Sequence, residues 1–229
     1  MTLEVWECPD QLYAARGGEV NSLRPLFTGD VFEDVAIPGI QPGGMAMIIA
    51  HPCSMRGQEA RLEPGVLMAA VEEGEKTGKS AWARGYYGLM PLPELTEADT
   101  LFVARLDDIG KAETASLLSG TRIACLSPKG VNLLEQRFIW RLTRLEVPTH
   151  QLQEVLTPVF EEADLLEEWS DVVCAAGASP GEAAAEFEAF IRADRGGGRT
   201  LQGDLRDPQL RSSVRVACRT EAKRRGAAG

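Results

Sequence analysis

The chain has 229 residues, 44% of them hydrophobic and 25% charged, and a net charge of −10. These are ordinary globular values, which argue for a buried core and against wholesale disorder, in one large domain or one of about 125–150 residues with a helical appendage. No apolar run approaches the roughly 18–20 residues that span a bilayer, so no membrane association is expected.

Residues 1–26 mix short apolar patches with Arg16-Gly17-Gly18 and end at Pro25, which reads as an N-terminal arm. Gly29-Asp30-Val31-Phe32 opens a β pattern, closed by turns at Pro38-Gly39 and Pro42-Gly43-Gly44. The apolar run Met45 to Ala50 is short enough for a central strand, and Pro52 ends it by removing a backbone donor. Val66–Val71, Tyr86–Leu92, Thr100–Leu106 and Arg122–Leu126 are further strands, with a solvated loop over 72–79. Several short strands with turns between them predict a small barrel or strongly bent sheet.

Ser127-Pro128 is a helix start, because Ser caps free N–H groups and Pro suits the first helical position. Leu134, Phe138, Leu142 and Leu145 recur at helical spacing and predict an amphipathic helix over 128–146, ended by Pro148. Leu152, Val155, Leu156, Val159 and Phe160 continue helically with an interruption at Pro158. Another helix starts after Ser179-Pro180 and is broken by Gly196-Gly197-Gly198. The last, over 208–225, has Leu210, Val214, Ala217 and Cys218 on one face and Arg211, Arg215 and Arg219 on a neighbouring one.

The charge is unevenly spread. Residues 1–150 carry 14 Lys and Arg against 20 Asp and Glu; residues 151–194 carry 1 against 11; residues 195–229 carry 9 against 3. The basic tail therefore has two readings. Arg211, Arg215 and Arg219 contact nucleic-acid phosphates, or the tail docks on the acidic stretch 154–171 or on a partner protein; docking is favoured because opposite charges lie close along the chain and the whole molecule repels nucleic acid.

The chemistry-bearing residues gather after the Met45–Ala50 strand. His51 as acid or base, Ser54 beside it and Arg56 as a phosphate clamp would make a polar RNA-cleaving site; the alternative is a strand-end turn with Cys53 as a small buried hydrophobe. Trp82 and Tyr86-Tyr87 beside Arg84 suggest a surface on which unpaired bases stack. The five cysteines form no CxxC pair and two histidines are too few for a metal centre, so no disulfide framework, metal or cofactor is expected. Met1 to Glu7 lacks a basic, apolar export signal, and a reducing cytoplasm is the expected location.

The Gly29-Asp30-Val31-Phe32 strand, the turn, and the apolar strand ending in a polar His-x-Cys-Ser segment resemble the opening of MazF/PemK-like toxin proteins and their bacterial relatives. Asp99 to Ile109, then Arg122 to Gly130, resemble that family's closing strands and final helix. The resemblance covers about residues 27–146. It implies an α+β chain: an SH3-like barrel with a closing helix over 27–146, followed by a helical segment over 147–229. It also implies RNA binding or endoribonuclease activity at His51, Ser54 and Arg56 with Arg84 nearby, a homodimer, and a toxin or phage-defence setting. The loop Gln41-Pro42-Gly43-Gly44 lacks the Arg typical of these ribonucleases, and no Ser or Thr follows Val71 in the expected place. That departure favours the alternative, a non-catalytic protein-interaction module using the same barrel and its C-terminal helices.

Overall fold

The computed structural model describes residues 2–56, 62–97 and 99–227. The chain is mixed α+β and divides into two compact units. Unit 1 is Met1–Asn21 with Leu26–Val155; unit 2 is Ser22–Pro25 with Leu156–Gly229.

Among the described residues, unit 1 is built on seven strands: β1 (Tyr13–Arg16), β2 (Val31–Phe32), β3 (Met45–Ile48), β4 (Gly65–Glu73), β5 (Leu89–Pro93), β6 (Leu101–Glu113) and β7 (Arg122–Leu126). They form one antiparallel sheet in the order β1-β7-β2-β3-β4-β6-β5, curled into a half-barrel. The curl has an identifiable cause. β4 pairs Ala69 with Ile109 but Val71 with Ala104, so residues 105–108 of β6 bulge from the ladder and the strand turns a corner there. Pro91 and Pro93 sit in β5, an edge strand, where a missing donor is tolerated.

The apolar runs of β3 and β4 are buried nearly continuously rather than alternately, as expected of central strands covered on both faces. Phe32, Ile37, Ile48, Met55, Met68 and Leu117 pack as one cluster. The Gly29-Asp30 pair has a physical reason. Gly29 has φ +87°, and a Cβ there would lie 2.7 Å from Leu126, so only glycine fits. Asp30 is buried, accepts the Phe27 N–H at 2.9 Å and faces Arg122 Nη1 at 3.5 Å.

The segment read as an arm over residues 1–26 is divided between the units. Leu3, Trp6, Leu12 and Tyr13 are buried in unit 1, where β1 pairs with β7. The helix α4 (Pro128–Thr143) is capped by Ser127, whose Oγ accepts from Gly130 N at 3.1 Å. Its buried face carries Val131, Leu134, Arg137 and Trp140, whereas Leu142 and Leu145 are 64% and 63% exposed. The expected apolar stripe thus leaves the core within the helix, at Leu142, and Arg144, with φ +63°, ends the helix in a left-handed turn before Leu145.

Three short helices lie in segments where the sequence reading placed no helix: α1 (Pro52–Met55), α2 (Lys79–Arg84) and α3 (Thr114–Ser119). The six residues of α2 are too few to be stable alone. Each of its last three carbonyls finds a donor from elsewhere: Trp82 O from Arg137 Nη2 at 3.0 Å, Ala83 O from Leu3 N at 2.8 Å, and Arg84 O from the Tyr87 hydroxyl at 2.5 Å. Arg137 is 1% exposed, lies 5.7 Å from the Trp82 ring centroid, and makes longer contacts to Leu89 O (3.4 Å) and Tyr86 O (3.5 Å). Burial depresses its guanidinium to about 10.

Unit 2 is helical. The helix α5 (Thr149–Ala175) starts in unit 1 and runs through Pro158 without the break expected there. It is followed by α6 (Pro180–Ile191), α7 (Leu201–Asp204) and α8 (Arg211–Gly226). Ser179 and Glu182 form a reciprocal capping box at the start of α6. Leu165, Trp169, Val173, Phe187, Val214 and Cys218 are buried in one core.

The basic tail docks within unit 2. Arg215 grips Glu161 through Nε at 2.6 Å and also through Nη2, and Arg219 holds Glu168 in a fork at 2.6 and 2.7 Å. Arg225 reaches Glu186 at 2.7 Å. The pairs 161–215 and 168–219, with Val172 beside Gly226, advance together, so α5 and α8 run parallel.

Two measurements check this packing. Deleting residues 196–229 uncovers Leu165, Trp169 and Val173, so thermal melting is expected to show a lower transition and increased dye binding; an unchanged melt would contradict the docked tail. Arg219→Ala, by contrast, is expected to leave the melt nearly unchanged, since the pair is solvent-exposed. In unit 1, Arg137→Ala leaves a cavity and unpaired carbonyls and should lower stability by about 3–5 kcal/mol in urea unfolding with an unchanged m-value.

Candidate functional site

The segment after β3 is shaped by local hydrogen bonds. Thr28 Oγ1 donates to Ala50 O at 2.8 Å and fixes the strand end. His51 then acts as the N-cap of α1: its Nδ1 accepts the Cys53 N–H at 3.2 Å, and Pro52 occupies the first helical position. Ser54 Oγ donates to His51 O at 2.7 Å, so the hydroxyl is directed back at the backbone. The Arg56 backbone bridges to Leu62. Structure therefore brings His51 and Ser54 together as parts of one helix cap, and Cys53 is exposed rather than buried.

An Nδ1 that accepts a hydrogen bond must be unprotonated. Burial acts in the same direction and lowers the His51 pKa below its usual 6.5. In the arrangement present, His51 serves as a neutral acceptor, and no hydrogen bond joins its ring to the Ser54 hydroxyl as a base–nucleophile pair would require.

Arg84 stands in a different setting. It is exposed at the end of α2, next to Tyr86, which is 49% exposed and held at φ +55° with its ring 4.9 Å from Trp82. The Tyr87 ring lies 3.8 Å from that of Trp140, and the Arg144 guanidinium sits 4.3 Å from the Trp140 centroid. Arg84 and Arg144 have no carboxylate partner among the described residues, whereas Arg141 next to them is paired with Asp107 at 2.5 Å. The result is one connected surface of Arg84, Tyr86, Tyr87 and Arg144, the last two lying over the buried Trp140. Sequence reading found Arg84 and the tyrosines but not Trp140 or Arg144, which lie 50 residues or more further on and come into contact only through packing of α4.

The tail arginines are placed elsewhere. Arg215 and Arg219 are engaged with Glu161 and Glu168, and Arg211 Nε donates to Leu205 O at 2.8 Å. Among the described residues no three His, Cys, Asp or Glu side chains group as metal ligands, and no helix is long and apolar enough to cross a membrane.

The His51 cap makes a signed prediction. Because folding lowers its pKa, the unfolded chain binds more protons just below pH 6.5, so the His51 contribution is full above that value and is lost as pH falls towards the folded pKa. His51→Asn, which keeps a capping oxygen but does not titrate, is expected to remove this part of the acid sensitivity in melts between pH 7 and 5. His51→Ala should cost about 0.5–2 kcal/mol.

No protein-family model matches the chain, and no curated protein is detectably similar to it.

Proposed function

We propose that the chain is a MazF/PemK-like, SH3-type barrel protein that binds single-stranded RNA without cleaving it. The observation that carries this reading is the surface of Arg84, Tyr86, Tyr87 and Arg144, the last two lying over the buried Trp140. It has a half-exposed aromatic ring in a constrained backbone, flanked by two exposed arginines unpaired with carboxylates. Aromatic rings stack any base, and arginines meet the phosphates between them. Binding is favoured over cleavage because His51 and Ser54 are occupied in capping α1.

The −10 charge of the whole molecule opposes RNA at long range, so the interaction is short-ranged. Two arginine–phosphate contacts on a single strand imply a salt slope of only about −1.4 in log K against log salt. A second reading, docking of a partner protein, is favoured by the exposed Leu142, Leu145 and Val155, the last 74% exposed.

The test is fluorescence anisotropy with a short fluorescein-labelled oligouridine, run beside a cleavage assay. Tyr86→Ala is expected to cost about 1–3 kcal/mol of binding. The Arg84→Ala, Arg144→Ala double variant should nearly abolish the salt slope, and Arg215→Ala should change nothing. Equal binding by all four proteins would overturn the assignment of this face. Cleavage that is lost in His51→Ala and Arg56→Ala would overturn the non-catalytic reading.

A further inference from the structure

The surface around Tyr86 is narrow, and its width bears on what it can hold. Among the described residues, Tyr86 is the one aromatic residue with an exposed side chain; Tyr87 is half-buried and Trp140 is buried. The Tyr86 ring is backed by the buried Trp82, 4.9 Å away, which leaves one side of it for a ligand. One ring side stacks one base. The turn is fixed within the fold: Tyr86 has φ +55° and its carbonyl accepts the Leu89 N–H at 3.0 Å, so a ligand has little left to order.

The charges set how much backbone the surface can hold. Arg84 precedes Tyr86 by two residues, and Arg144 reaches Tyr87 across Trp140, so two cations without carboxylate partners among the described residues border the ring. Beyond them the charge reverses. The Asp107 carboxylate lies against Gly88, two residues after Tyr86, where an added Cβ would come 2.6 Å from its Oδ2, and it pairs with Arg141 at 2.5 Å. Arg105, opposite Leu89 in the sheet, is held by Asp108 and by Glu72 at 2.8 Å. Glu146 is exposed two residues past Arg144. Further phosphates would therefore meet carboxylates, or arginines already neutralised by one.

Resting on the RNA-binding reading of this surface, we propose that its ligand is a single unpaired nucleotide held by its base and its 5′ and 3′ phosphates, the unit of a nucleoside 3′,5′-bisphosphate, and not an extended strand.

The probes are adenosine 3′,5′-bisphosphate, adenosine 5′-monophosphate, triuridylate and nonauridylate, each titrated into the full chain by calorimetry. The bisphosphate is expected to bind about tenfold more tightly than the monophosphate, the worth of one more charge-assisted contact. That preference should shrink to about twofold or less in Arg84→Ala and in Arg144→Gly. Both arginines are exposed, and glycine suits the φ of +63° at position 144, so circular dichroism should show an intact helical signal. Affinity per internal nucleotide should agree between the two oligouridines within about twofold. Where the oligouridines bind, equal affinity for the two adenosine phosphates, a preference that survives in both variants, or an affinity per nucleotide that grows with length overturns the single-nucleotide assignment and leaves RNA binding in place. Binding of the bisphosphate but of neither oligouridine overturns RNA as the source and leaves a nucleotide site. Binding of none of the four overturns both.

Discussion

The buried Arg137 is the constraint on which much of unit 1 rests. A guanidinium taken out of water without a carboxylate is costly, and its depressed pKa records that cost. What offsets it is a set of carbonyls: Trp82 O at the end of α2 at 3.0 Å and, at longer range, Leu89 O and Tyr86 O at the turn that leads into β5, the last also accepting from Leu89 N. A short helix that would not persist alone is thereby fixed to α4, and its other terminal carbonyls recruit Leu3 and Tyr87. One buried cation thus ties together the N-terminal segment, α2, the entrance to β5 and α4. The proposed RNA face is the outer edge of this assembly: Tyr86 and Tyr87 occupy the turn that Arg137 holds, and Trp140 and Arg144 continue the same helix.

The segment after β3 shows how residue type and residue role separate. A histidine, a serine and an arginine within six positions suggest catalysis by composition. The backbone of a four-residue helix has needs of its own, and His51 and Ser54 meet them first. A ring nitrogen that accepts from Cys53 N is held neutral and oriented towards the chain, a useful cap and a poor start for proton transfer to a ligand.

Unit 2 solves a charge problem inside the chain. The strongly acidic stretch and the basic tail neutralise one another along parallel helices, with Arg215 and Arg219 each meeting a glutamate of α5 and Arg225 meeting Glu186 of α6. Exposed ion pairs of this kind contribute little individually. In the alignment of α8 on α5 that is present, both ion pairs form at once, while Trp169, Phe187 and Val214 supply the buried area.

The sequence by itself determined the elements whose causes are local. The caps at Ser127 and Ser179 and the apolar runs of β3 and β4 could be read from neighbours within a few positions, the attraction between the acidic and basic segments from the uneven charge along the chain, and α4, α6 and α8 begin within a few residues of where those signals put them. Pro158 misled in the opposite direction: a helix signal was cut at a residue that a 27-residue helix absorbs. Tertiary structure alone decided the rest. Short helices such as α2 exist because distant donors satisfy them; β1 exists because β7 offers an edge; and Tyr87 and Arg144 come together over the buried Trp140 only when α4 packs against the α2–β5 turn. These features depend on which buried polar groups find partners across the fold, and that pairing leaves no periodic or positional mark in the chain.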